Sequence, residues 1–134
     1  MVALPRHATV RGRPVPELID DDGLADLFAR TRDAGAEIVG YLKKGSAFYA
    51  PSSSAAAMVD AILRDSGEVF PTCAWTTGEY GISDVYLGVP ARLGISGVVE
   101  IVELELNEDE IDQLKEAAEA IRSKCKELEA HRPS

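Results

Sequence analysis

The sequence predicts an α+β domain, an antiparallel meander of strands packed with long helices. Before Gly67 and after Asn107, apolar residues recur at spacings of three and four, the mark of helices with one buried face. From Glu68 to Leu106, β-branched and aromatic residues run instead in short segments separated by glycines, the mark of strands and tight turns. Helices first, then strands, then a helix is a segregated order, not the βαβ alternation that builds a parallel sheet.

The chain opens on residues of strand character: Val2, Leu4, Thr9 and Val10 predict extended backbone, and Arg11-Gly12-Arg13-Pro14 a turn before Val15. His7 falls within this extended stretch. Asp20-Asp21-Asp22 precedes Leu24, Leu27 and Phe28, and carboxylates favour a helix start because the first N–H groups lack partners. Ile38, Val39 and Leu42 carry that helix on past a bend expected at Gly35, and Lys43-Lys44-Gly45 is a cationic, glycine-ended stop. A loop from Gly45 leads through Pro51, suited to a first helical turn, into a helix whose buried face is expected to be Met58, Val59, Ile62 and Leu63. Ser52–Ser54 read as caps of its start, and Ser66-Gly67 ends it.

Strands are expected over Val69–Thr76, Ile82–Val89 and Val98–Leu106, with Gly94-Ile95-Ser96-Gly97 as a hairpin turn. Val102, Leu104 and Leu106 alternate with Glu103 and Glu105, so one face of that run is solvated. Val99 and Ile101 sit on the opposite parity, which implies a bulge or burial on both faces. The last helix starts with Asn107 and Glu110 as a capping box. Ile111, Leu114, Ala118, Ile121, Cys125 and Leu128 then form one apolar stripe, where the Cys125 thiol is expected to be buried and inert. Residues 1–130 are read as one domain and 131–134 as a frayed tail.

With 134 residues the chain has room for one domain with a real core. Fourteen Lys and Arg against 23 Asp and Glu give a net charge of −9, a field that repels phosphate backbones and anionic lipid. Nucleic acid and membrane surfaces are therefore not expected partners. No apolar run reaches a bilayer span, and Met1–Arg6 has no apolar stretch of signal-peptide length. The two cysteines, Cys73 and Cys125, have no metal-type spacing and suit a reducing cytoplasm.

A catalytic constellation is not legible from residue types alone. No glycine-rich phosphate loop follows a strand, and neither HExxH, CxxC nor a nucleophile elbow occurs. His7 has no carboxylate close in sequence to orient it, and His131 lies in the tail. No metal site is expected.

Three separated segments nevertheless resemble the C-terminal part of the lactate/malate dehydrogenase family, and within it the lactate-dehydrogenase-like malate dehydrogenases. They are Met1-Val2-Ala3-Leu4-Pro5-Arg6 with Thr9-Val10; Gly45-Ser46-Ala47-Phe48-Tyr49-Ala50-Pro51; and Gly78-Glu79-Tyr80-Gly81-Ile82-Ser83-Asp84-Val85-Tyr86-Leu87-Gly88-Val89-Pro90, followed by Leu93-Gly94 and Gly97-Val98-Val99-Glu100. Order and spacing agree from residue 1 to about residue 128. One departure is Ala3, where the family often has Pro.

The resemblance implies an enzyme that oxidises malate reversibly to oxaloacetate with NAD, bound by an N-terminal Rossmann domain. The family's catalytic histidine stands in a Gly-Gly-His-Gly-Asp segment expected just upstream of Met1, so His7 is not its equivalent and no catalytic residue is expected in this chain. Two substrate-clamping arginines, the Asp–His relay and a third arginine complete the family's machinery. What carries over is Ser46 and Ala47, matching the loop that lines the substrate pocket, and Pro51, matching the position packed near the nicotinamide. Lactate enzymes tend to carry Thr-Ser-Trp in that loop, whereas Ser46-Ala47-Phe48-Tyr49 is of the malate type. The implied picture is a C-terminal portion, inactive and without NAD on its own, of a homo-oligomer joined through its helices. A module that pairs with full-length subunits, and a portion of a lactate enzyme, are the alternatives.

Overall fold

The computed structural model describes residues 2–131, without the side chains of residues 129 and 130. Apart from His131, the expected tail lies outside the described residues. The chain divides into two compact units, Met1–Ser53 and Ser54–Ser134, each described by itself.

In the first unit Pro5 locks its own φ and seeds a 3-10 turn over Pro5–His7, closed by His7 N–H donating to the Leu4 carbonyl at 3.1 Å. The expected extension at Leu4 and His7 is thereby corrected, and His7 sits in that turn. Strand β1 (Thr9–Val10) pairs antiparallel with β2 (Arg13–Pro14), so the turn is tighter than expected and centres on Arg11 and Gly12, both at positive φ. Val15 follows, is buried, and donates to the Ala8 carbonyl at 2.9 Å.

Helix α1 spans Asp21–Leu42. Asp20 caps it, its carboxylate accepting from Gly23 N–H at 2.9 Å, and the helix runs unbroken through Gly35. It ends at Lys43, which takes the left-handed conformation (φ 59°) and donates to the Val39 carbonyl. The stop thus comes ahead of Gly45, the glycine expected to make it. Leu24 and Phe28 are half-buried, whereas Leu27, Ile38, Val39 and Leu42 are exposed.

Helix α2 covers Tyr49–Leu63 and places Pro51 in its first turn, as its missing N–H favours. Ser52–Ser54 are helical and exposed rather than capping, because the helix begins at Tyr49. Its buried residue is Ala61; Met58 and Ile62 are half-buried, while Val59 and Leu63, expected inside, are exposed.

In the second unit β3 (Val69–Thr77), β4 (Ser83–Gly94) and β5 (Gly97–Ile101) form an antiparallel sheet in the order β3-β4-β5. Thr72, Ala74 and Thr76 face Val89, Leu87 and Val85 across the ladder on the buried side. Thr76 is fully buried, and its hydroxyl is satisfied by donating to the Val85 carbonyl at 3.1 Å. β4 runs past Val89 to Gly94, and Ile95-Ser96 turn the hairpin as expected. The parity switch at Val99 is a bulge: Leu93 pairs with Val98 and Arg92 with Glu100, leaving Val99 unpaired.

The expected strand over Val98–Leu106 ends at Ile101. Beyond it the alternation survives, with Val102, Leu104 and Leu106 half-buried and Glu103 and Glu105 exposed. Helix α3 (Glu108–Ala130) begins in the expected box: Asn107 Oδ1 accepts from Glu110 N–H at 2.8 Å, and Glu110 Oε2 from Asn107 N–H at 2.9 Å. Leu114 and Ala118 are buried as α3 packs against β4. Cys125 and Leu128, expected inside, are exposed, since the stripe outruns the part of α3 that is covered. Every strand pairing among the described residues is antiparallel, and no described helix is long and apolar enough to cross a membrane. The α+β class holds.

Candidate functional site

The loop Lys43–Phe48 joins the C-terminus of α1 to the N-terminus of α2 and carries the residues singled out from the sequence. Lys43 and Gly45 both take positive φ (59° and 86°), which folds the chain back after α1. Ser46 is exposed, Ala47 half-buried and Pro51 exposed on the first turn of α2. Phe48 and Tyr49 stack at 4.5 Å between ring centroids, tilted by 37°, and stiffen the passage from loop to helix. The first regular helical bond, Ser52 N–H to the Phe48 carbonyl at 2.9 Å, fixes where α2 begins. Ser46 and Ala47 therefore lead into a helix N-terminus, whose partial positive charge favours a carboxylate nearby. Lys43 and Lys44 add cationic charge to the same loop.

His131 is exposed, its Nδ1 2.8 Å from the Glu127 carbonyl. An open groove along α1, lined by Leu27, Arg30, Thr31, Ala34, Ile38 and Tyr41, contains none of the expected site residues. Arg30 grips Glu37 there through two bonds of 3.0 and 2.9 Å, and this holds the Glu37 carboxyl below its ordinary range. Among the described residues, no group of three His, Cys, Asp or Glu is placed to hold a metal ion.

Residues 1–132 match the family model of the lactate/malate dehydrogenase α/β C-terminal domain. This chain belongs to the lactate/malate dehydrogenase family. Within that family it is 48% identical over 130 residues to the malate dehydrogenase of Roseiflexus sp. strain RS-1, covering 97% of this chain and 42% of the relative. To the malate dehydrogenase of Methanosarcina acetivorans it is 47% identical over 122 residues, covering 91% of this chain and 40% of the relative. The solved malate dehydrogenase of Salinibacter ruber superposes with a TM-score of 0.93 at 45% identity, over 96% of this chain and 42% of that one. A lactate dehydrogenase of Eimeria maxima, solved with NADH and oxamate, superposes with a TM-score of 0.86 at 32% identity, over 98% of this chain and 43% of that one. The chain thus spans about two fifths of the length of the dehydrogenases it matches.

One residue with a clear structural task was missed as such in the sequence. Tyr80, inside the family-like Gly78–Gly81 segment, adopts φ 55° and ties the β3–β4 connection to the segment after β5. Its signal was the pair Gly78 and Gly81 around it, which marks an unusual backbone without naming the partner.

Proposed function

We propose that this chain supplies the substrate side of an NAD-dependent malate dehydrogenase, interconverting malate and oxaloacetate. The observation that supports it is the malate-type loop Ser46-Ala47-Phe48-Tyr49, set at the start of α2 in a chain nearly half identical to malate dehydrogenases. Ser46 offers a hydroxyl donor, Ala47 keeps the pocket wall small, and the loop lysines with the α2 N-terminus favour a dicarboxylate over a neutral ligand. Residues 1–130 act as one family domain with a tail at 131–134. Two unpaired cysteines fit a cytoplasmic setting. Self-association through the apolar stripe of α1 fits the exposure of Leu27, Ile38 and Tyr41.

NAD, where bound, supplies the hydride acceptor. The described residues fit only one edge of it: Pro51 presents an exposed apolar ring on α2. Gly78 and Gly81 lie in a strand-to-strand connection, where they do not cradle a pyrophosphate against a helix. The 134-residue chain is therefore expected to be inactive alone. The test is malate-dependent NADH formation by the purified chain, then by the chain mixed with the part of the Salinibacter ruber enzyme that this chain does not match. No turnover alone and malate oxidation in the mixture is the expected result. Turnover by the chain alone would overturn its inactivity, and a mixture that prefers lactate would favour the lactate alternative.

A further inference from the structure

Two lysines stand two and three positions ahead of Ser46, in the run Lys43-Lys44-Gly45-Ser46, and all four residues are exposed. A hydroxyl approached through adjacent cations is the charge pattern read by serine kinases whose peptide groove offers carboxylates to them. Such a groove takes its peptide as irregular or extended chain, so the backbone around the serine decides whether the pattern can be used. Residues 46–48 lie outside helix and strand, and the positive φ of Lys43 (59°) and Gly45 (86°) turns the chain away from α1 just ahead of them.

The other described hydroxyls fail on charge or on backbone. Thr9 follows Arg6 and His7 at the same spacing, but its backbone is held in the pairing of β1 with β2. Ser52, Ser53 and Ser54 are exposed, yet they are helical and have no cation at either position. Ser66 has Arg64 alone, beside Asp65, and its Oγ already accepts from Glu68 N–H at 3.2 Å.

We propose that Ser46 is a phosphorylation site for a serine kinase that reads basic residues. The γ-phosphoryl group of a nucleoside triphosphate passes to Ser46 Oγ. The new Oγ–P bond replaces the bridging P–O bond, the nucleoside diphosphate leaves, and the hydroxyl proton goes to the base of the kinase. The product carries a charge of about −1.5 to −2 at neutral pH. It consumes the hydroxyl donor and offsets Lys43 and Lys44, so a loop suited to a dicarboxylate becomes one that repels it. This consequence rests on the reading that the loop lines the substrate pocket; the modification site itself does not.

The experiment treats the full chain with radiolabelled ATP and a purified kinase selective for basic residues at those two positions, with an acid-directed serine kinase as control. Expected is one phosphoryl group per chain, mapped to Ser46 by peptide mass, from the first kinase and not from the control. Ser46→Ala should abolish the label. Lys43→Asn with Lys44→Gln should cut the labelling rate at least tenfold; Asn tolerates the left-handed backbone at position 43, and an unchanged circular dichroism spectrum checks the fold. Label on Thr9 or on Ser52–Ser54, label indifferent to the lysines, or no label overturns the proposal. The labelled chain is then mixed with the part of the Salinibacter ruber enzyme that this chain does not match. Malate turnover should fall at least tenfold and return after phosphatase treatment. Turnover unchanged by full phosphorylation overturns the effect on the substrate loop. A mixture inactive before labelling counts against the dehydrogenase reading alone, and the labelling result still decides the site.

Discussion

The Tyr80 hydroxyl accepts from the Leu104 N–H at 2.8 Å and donates to the Val102 carbonyl at 3.3 Å. A single side chain thus serves two backbone groups of a segment that has left the sheet at Ile101. The carboxylate of Glu103, lying between them in sequence, returns the contact by accepting from Tyr80 N–H at 2.6 Å. With the Val102 N–H still donating to the Pro90 carbonyl of β4 at 2.8 Å, these bonds hold residues 102–104 beyond the end of β5.

Removing the hydroxyl should therefore cost more than one surface hydrogen bond. Tyr80→Phe leaves the Leu104 N–H and the Val102 carbonyl without this partner, and a loss of about 1–3 kcal/mol is expected from urea unfolding. Burial, with a smaller contribution from Glu103, raises the phenol above its ordinary value of 10.0 against the opposing Leu104 bond. Between the unfolded and the raised folded value the native state holds more protons, so stability falls as pH rises past 10. The gap between wild type and Tyr80→Phe should narrow there. A gap that widens instead would contradict this role for the hydroxyl.

Acid should act on the other side of the same connection. Glu79 accepts from Thr77 N–H at 2.6 Å and from the Thr77 hydroxyl at 3.1 Å. Its carboxyl is held below the ordinary 4.5, first by the Thr77 N–H and then by its own. A depressed value stabilises the native state above 4.5, and that contribution is lost as pH falls through the folded value. Because the group is exposed the effect is small. Glu79→Gln should lower the thermal midpoint at neutral pH and merge with wild type below pH 4.5, as a melt series across that range would read.

These two tyrosine and glutamate contacts also mark where the sequence stops being legible. The α3 cap, the Ile95-Ser96 hairpin and the Val99 bulge were all readable because each is encoded within a few neighbouring residues. The Tyr80 bonds join residues more than twenty positions apart, and periodicity carries no trace of them. The stripe of α3 was readable as a wish for burial, but Cys125 and Leu128 lie beyond the part that β4 covers. For the site, Ser46, Ala47 and Pro51 were legible through family likeness. Their loop takes its physical meaning from its ends, Lys43 closing α1 and Tyr49 opening α2, which residue types alone do not place.

Gly94 offers a test of the packing behind the β4–β5 hairpin. A Cβ there would stand 2.7 Å from Asp65 Oδ1 and 2.9 Å from Val99 Cγ2. Asp65 is not free to swing away without loss, since the same oxygen accepts from Ile95 N–H at 2.9 Å. Gly94→Ala should therefore destabilise by about 1–3 kcal/mol, as overpacking does. Equal unfolding midpoints for variant and wild type would show that the bulge at Val99 yields freely.

The start of α3 decides how firmly the helix is held on the sheet. Asn107 satisfies Glu110 N–H, and the Glu110 side chain, itself buried, answers to Asn107 N–H. Asn107→Ala removes the first bond and should cost about 1 kcal/mol, the usual value of a lost cap. Glu110→Ala removes the second and opens space beside Leu114 on the next turn, so it should cost at least as much. Because the two bonds fix each other's geometry, the double variant should lose less than the sum of the single losses. Urea unfolding of the four proteins closes that cycle, and strict additivity would mean that the two halves of the box act independently.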